Sequence, residues 1–229
     1  MNKHYTLTDL DPSIVVEPTL PETSAVIWLH GLGADGHDFE SILPQLNLPN
    51  NHGIRFIFPH APVQFDTVNG GMKTRSWYDI YSMTIAEKVD IEGINQSAKV
   101  VNELIEQQML KGIEPHKIVL AGFSQGGLVV LHSAIHSKKM LAGVLALSTY
   151  YPSVCLNESE SNVAKNKAIF MAHGSYDQVI PLSVAEKSRD FLQQIGCELQ
   201  WQTYPMEHSI CMPEIDAISK WLTKSLLTD

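Results

Sequence analysis

The stretch KIVLAGFSQGGLVVLHSAI, residues 117–135, decides the reading of this chain. Its first part, Lys117–Phe123, is a continuous apolar, β-branched run of the kind that forms a strand covered on both faces. Its last part, LVVLHSAI from Leu128, reads as a helix. Between the two lies Gly122-Phe123-Ser124-Gln125-Gly126, a G-x-S-x-G with no residues to spare for a loop. A serine held on so tight a strand-to-helix turn needs neighbours without Cβ atoms, and its Oγ then projects from the edge of the sheet. The helix N-terminus beneath it supplies N–H groups where negative charge would develop beside a nucleophile.

The same alternation runs outward in both directions. Strand candidates are Ala25–His30, Ile54–Pro59, Lys117–Phe123, Gly143–Ser148, Ala168–Gly174 and Leu199–Tyr204. Between them Ile94, Ala98, Val101 and Ile105 repeat at helical spacing, predicting a helix over about 90–109 with one buried stripe. Further helices follow Ser124, Pro181 and Pro213, the last with Ile215, Ile218, Leu222 and Leu226 on one side. Strands alternating with helices mean an α/β fold with a mostly parallel sheet and helices on both faces. One domain is expected over 1–229, without repeats or a linker. Residues 62–88 and 149–166 lack clear periodicity and read as long connections.

A nucleophilic serine needs a base and an acid, and in the fold that uses this turn the chain order is serine, acid, histidine. Downstream of Ser124 stand His132, His136, His173 and His208. His132 and His136 belong to the helix just after the serine, and His173 ends a strand. Asp177 follows in the turn Gly174-Ser175-Tyr176-Asp177, and His208 is the one histidine beyond it, between the last strand and the last helix. Ser124, Asp177 and His208 are therefore the expected triad. Asp190 competes as the acid but lies within a helical pattern over 182–195.

Stabilising an oxyanion takes two backbone donors, one from the residue after the nucleophile and one from an early loop after a strand. Gln125 is the first. His30-Gly31-Leu32-Gly33 follows its strand at the right place, and Leu32 N–H is the candidate for the second. Gly31, Gly33 and Gly36 also spell a dinucleotide-loop pattern, but no helix opening of the right type follows and the next residues are polar.

Composition narrows the partners. The chain has 229 residues, 44% hydrophobic and 18% charged, with a formal net charge of −9 and no basic run, so a nucleic acid partner is not expected. The negative charge leaves any membrane contact to apolar side chains. The N-terminal residues do not form a secretory signal, and no apolar run nears the roughly 20 residues of a membrane span. Cys155, Cys197 and Cys211 are unpaired in pattern and fit reduced thiols of a cytoplasmic protein. No cluster has metal-ligand spacing, so neither metal nor cofactor is expected.

Taken together, His30-Gly31-Leu32-Gly33, Arg75-Ser76-Trp77-Tyr78-Asp79, Gly122-Phe123-Ser124-Gln125-Gly126-Gly127, His173-Gly174-Ser175-Tyr176-Asp177 with Pro181, and Met206-Glu207-His208 resemble the acyl-protein thioesterase / carboxylesterase family. This family is also called phospholipase/carboxylesterase, and the resemblance spans about residues 24–224. It implies an α/β-hydrolase fold and a metal-free cytosolic esterase acting on small esters, lysophospholipids or S-acyl groups on protein cysteines. It also implies homodimers, the triad Ser124, Asp177 and His208, and oxyanion donors at Leu32 and Gln125. Glu207 stands where many members carry glycine.

The resemblance further implies that the segment around Trp77 borders an acyl pocket. Trp77, Ile80 and Met83 are the expected substrate-binding residues, in a 62–88 segment that also holds Met72, Tyr81, Ile85 and the hinge-capable pair Gly70-Gly71. That segment is expected to act as a lid or acyl-binding flap with transient membrane contact. Trp77 reads equally as a packing anchor, and Arg75 and Asp79 as an ion pair tying down their own loop. Alternatives to a carboxylesterase remain on these residues: an acyl-protein thioesterase or lysophospholipase as the main activity, a lipase or phospholipase acting at an interface, and a catalytically silent binding module on the same fold.

Overall fold

The computed structural model describes residues 5–82, 88–156 and 164–228. Its strands are β1 (Ile14–Val16), β2 (Ser24–Leu29), β3 (Ile54–Phe58), β4 (Val63–Asp66), β5 (Met72–Arg75), β6 (Ile118–Phe123), β7 (Gly143–Leu147), β8 (Ala168–Gly174) and β9 (Glu198–Tyr204). The helices are α1 (His37–Glu40), α2 (Ile91–Leu110), α3 (Gln125–His136), α4 (Leu182–Gln194) and α5 (Met212–Leu222). Seven strands form one sheet in the order β1-β3-β2-β6-β7-β8-β9, parallel throughout except for β1, which runs antiparallel to β3. All six strands expected from sequence are present with ends within a residue or so. None of the described helices is long and apolar enough to cross a membrane.

The central strands are apolar on both faces because both faces are covered. Ala25, Ile27 and Leu29 of β2 point to one core with Ile94, Val101, Leu104 and Ile105 of α2, Leu128 of α3 and Leu192 of α4. Val26 and Trp28 point to the other, with Phe39 of α1 and Ile215, Ile218 and Trp221 of α5. This is the period of two expected of a strand. On α2 each fully buried Ile or Leu contributes about 1.5–3 kcal/mol, which fixes that face of the helix on the sheet. Asp90 caps α2, its carboxylate accepting from Gly93 N–H.

The chain runs from β2 to β3 on one side of β2 and returns to β6 on its other side. The carboxyl ends of β2 and β6 thus meet at the point where the strand order reverses, which in open α/β sheets is where ligands bind. The loops holding Leu32 and Ser124 leave the sheet there.

The 62–88 segment departs from expectation. It begins with a hairpin, β4 paired antiparallel with β5, in which Gly70 and Gly71 make the turn at φ 68° and 78°. After the hairpin the chain dives inward, and Trp77 and Tyr78 are buried in the main core. Arg75 does not pair with Asp79: its guanidinium bonds Asp11 at 2.6 Å and Ala61 O at 2.9 Å, while Asp79 accepts from Thr67 N–H and Oγ.

Candidate active site

Ser124 sits between β6 and α3 at φ 53° and ψ −117°, a conformation that non-glycine residues avoid and that costs on the order of 1–3 kcal/mol. Surrounding bonds hold it there: Ser124 N–H donates to Leu147 O at 2.9 Å, and Thr149 Oγ donates to Ser124 O at 2.7 Å. The strain aims Oγ at His208, whose Nε2 lies 2.9 Å away.

His208 Nδ1 lies 2.7 Å from Asp177 Oδ2. A carboxylate can only accept, so Nδ1 carries the hydrogen and Nε2 is left to accept from the Ser124 hydroxyl. Asp177 follows the carboxyl end of β8 and is fully buried as a side chain; its Oδ1 accepts from Val179 N–H at 2.9 Å and Ile180 N–H at 2.8 Å. Burial alone would push its carboxyl up, but the bonds from His208 and Ile180 N–H outweigh that and hold it below the usual carboxylate range. The loops of Asp177 and His208 are also laced together, with Ser175 N–H on Tyr204 O and Tyr176 N–H on Met206 O. Glu207 is exposed, and His208 beside it lies within reach of both partners.

The other candidates have other work. His132 faces Asn95 and Tyr151, and Asp190 is exposed and paired with Arg189. His173, at the end of β8, packs beneath Asp177: its Nε2 lies 2.8 Å from Ile180 O and 3.4 Å from Asp177 Oδ2. Burial drives its pKa down, so it is held neutral with the hydrogen on Nε2. The signal that could have found it is the four-residue spacing of His173 and Asp177 across a tight turn.

Ser124 and His208 open into a cavity of about 430 Å³, within the usual range for small-molecule sites. Leu32 and Gln125 line it beside Ser124, and Tyr78, Ile80, Val89, Tyr150, Val179 and Ile180 give it apolar walls. Gln125 N–H is the first amide of α3, where no intrahelical acceptor exists. Of the expected substrate-binding residues, Ile80 lines the cavity. Trp77 is 0% exposed and does not line it: its indole N–H donates to His30 O at 2.9 Å, so it is a packing anchor. Met83 lies outside the described residues, as does Ile85. A nucleophile and a base oriented by a carboxylate, beside the first amide of a helix at one end of a largely apolar cavity, suit acyl transfer. Among the described residues no group of side chains is arranged to hold a metal ion.

Comparison with known proteins gives the same picture. A family model described as phospholipase/carboxylesterase matches residues 10–226. The chain is 37% identical over 227 residues to an acyl-protein thioesterase 1 of Neurospora crassa, covering 94% of this chain and 92% of the relative. An acyl-protein thioesterase 1 of Cryptococcus neoformans is 35% identical over 231 residues, covering 92% and 96%. The crystal structure of Zea mays acyl-protein thioesterase 2 superimposes with a TM-score of 0.82 at 26% identity, covering 93% of this chain and 98% of that one. Arabidopsis thaliana SOBER1 superimposes with a TM-score of 0.81 at 28% identity, covering 89% and 99%.

Proposed function

The chain belongs to the phospholipase/carboxylesterase family and is a serine hydrolase, and from that premise we propose that it hydrolyses carboxylic and thioester acyl bonds through an acyl-enzyme on Ser124. The observation that carries this reading is the hydrogen-bonded chain Ser124 Oγ, His208, Asp177 at the mouth of an apolar cavity. Ser124 Oγ attacks the acyl carbon while His208 Nε2 takes its proton, and Asp177 stabilises the imidazolium. The oxyanion is held by the N–H groups of Leu32 and Gln125. Collapse expels the alcohol or thiol, which takes the proton from His208. Water, deprotonated by His208, then attacks the acyl-serine and releases the carboxylic acid with Ser124 restored.

The acyl chain lies along Tyr78, Ile80 and Val89, so that the 62–88 segment is the wall and flap of the acyl pocket of one domain spanning the chain. Ile80 supports this by lining the cavity while its backbone bridges Val89. Exposed Val63, Phe65 and Met72 on the hairpin support transient contact with a membrane carrying a lipidated substrate. S-acylated protein as a substrate is supported by what the relatives are called. Three free cysteines suit a cytoplasmic location, and pairing as a homodimer rests on the family resemblance. Rates on esters from C2 to C16 beside an S-acylated peptide test the assignment. Turnover of both classes, rising with chain length, is the expected result; turnover of acetyl esters alone would contradict it.

A further inference from the structure

An oxyanion donor at position 125 needs only a backbone N–H, which nearly any residue would supply; the side chain present is nevertheless a buried glutamine whose carbonyl oxygen and both amide hydrogens are hydrogen-bonded. Gln125 is 3% exposed. Its Oε1 accepts from Trp77 N–H at 2.8 Å, and its Nε2 donates to Ser76 Oγ at 2.9 Å and to Tyr78 O at 2.6 Å. Asparagine is one carbon short of this reach, and glutamate cannot donate to a carbonyl.

The same short segment grips the other oxyanion loop. Gly33 N–H donates to Arg75 O at 2.9 Å, and Trp77 Nε1–H donates to His30 O at 2.9 Å. These two bonds fall on either side of Leu32 in the chain. Residues 75–78 therefore form a strap tied by two bonds to the Leu32 loop and by three to Gln125, while the strap's own backbone is anchored to α2 by Ser97 Oγ donating to Trp77 O.

We propose that the Arg75–Tyr78 strap sets the separation and aim of the two oxyanion amides, with the Gln125 carboxamide and the Trp77 indole as its positioning groups. The inference rests on the acyl-transfer reading above. Oxyanion donors act only when they sit about 2.7–3.1 Å from the place the oxygen reaches in the transition state. Loosening the strap should therefore weaken binding of the tetrahedral species and leave binding of the unreacted acyl chain, which Tyr78 and Ile80 contact, nearly as it was.

Gln125→Met keeps the side-chain length and removes all three bonds; Trp77→Phe keeps a ring in the core and removes only the bond to His30 O. Each variant and the wild type would be assayed for kcat/KM on an octanoyl ester. Inhibition constants would be measured for an alkyl trifluoromethyl ketone, which becomes a tetrahedral adduct on Ser124, and for the matching ether, which cannot. The proposal expects kcat/KM and ketone affinity to fall together by about 10- to 100-fold, with ether affinity within about threefold of wild type. Unchanged ketone affinity in both variants would overturn it, as would equal losses for ketone and ether. Thermal melting reports folding, and if Gln125→Met fails to fold, Trp77→Phe alone decides. Failure of the wild type to turn over the ester or to bind the ketone would overturn the functional reading, and this inference with it.

Discussion

Gly174 packs so tightly against the backbone of Glu207 that a Cβ on Gly174 would lie 2.4 Å from Glu207 O. The same atom would lie 2.4 Å from Met206 O, so the contact is with backbone that cannot rotate away. Gly174 ends the strand that leads to Asp177, and Glu207 precedes His208. A side chain here must push the base away from its acid. Gly174→Ala is expected to lower kcat/KM by at least about 100-fold, the scale of a displacement near 1 Å. Steady-state kinetics checks this, and activity within about threefold of wild type would show that the two loops move together instead.

Ile80 lines the cavity together with Val68 and Tyr78 of the same segment, so chain-length preference should be sensitive to it. Covering two or three methylenes is worth about 2 kcal/mol, or roughly 30-fold in rate. Ile80→Ser should depress octanoyl hydrolysis by about that factor and acetyl hydrolysis hardly at all. Equal losses on both esters would place the acyl chain elsewhere.

Two buried histidines make stability depend on pH. Burial pushes His30 down to about 4 and His132 down to about 3. Between the unfolded value near ~6.5 and these folded values the unfolded chain binds more protons than the folded one. Their contribution is therefore full above ~6.5 and is lost as the pH drops between pH 7 and pH 5. Glu214, which burial pushes up to about 8, contributes with the opposite sign over the same interval, so the histidine contribution is read as the difference between wild type and a His132→Phe variant. Urea unfolding at the two pH values measures it. His132→Phe should lose less stability than wild type on going from pH 7 to pH 5, by an amount on the order of 2 kcal/mol; the same change in both proteins would refute the account of His132.

The parts of the site written in local chemistry were readable from sequence. Ser124 is marked by its glycines and by the strand and helix pressed against it, and Asp177 and His208 follow from chain order at successive strand ends. Trp77 was not, because an aromatic residue in a segment without periodicity can face a cavity or a core, and only the position of His30 O decides. The hairpin was missed because VQFD and MKTR are too polar to read as strands, although Asn69-Gly70 is a strong turn signal. Arg75 found Asp11, 64 residues away, where spacing along the chain favoured Asp79. The side-chain bonds of Gln125 likewise span 47–49 residues, a distance over which sequence spacing carries no information.

Covalent capture at Ser124 tests the central claim most directly. The protein would be treated with an alkyl fluorophosphonate and digested, and the adduct located by mass spectrometry, with Ser124→Ala run in parallel. The account predicts one adduct, on the peptide containing Ser124, and a Ser124→Ala protein that folds normally but has lost ester hydrolysis by several orders of magnitude. An adduct on any other residue, or a Ser124→Ala protein that still turns over ester, would contradict it.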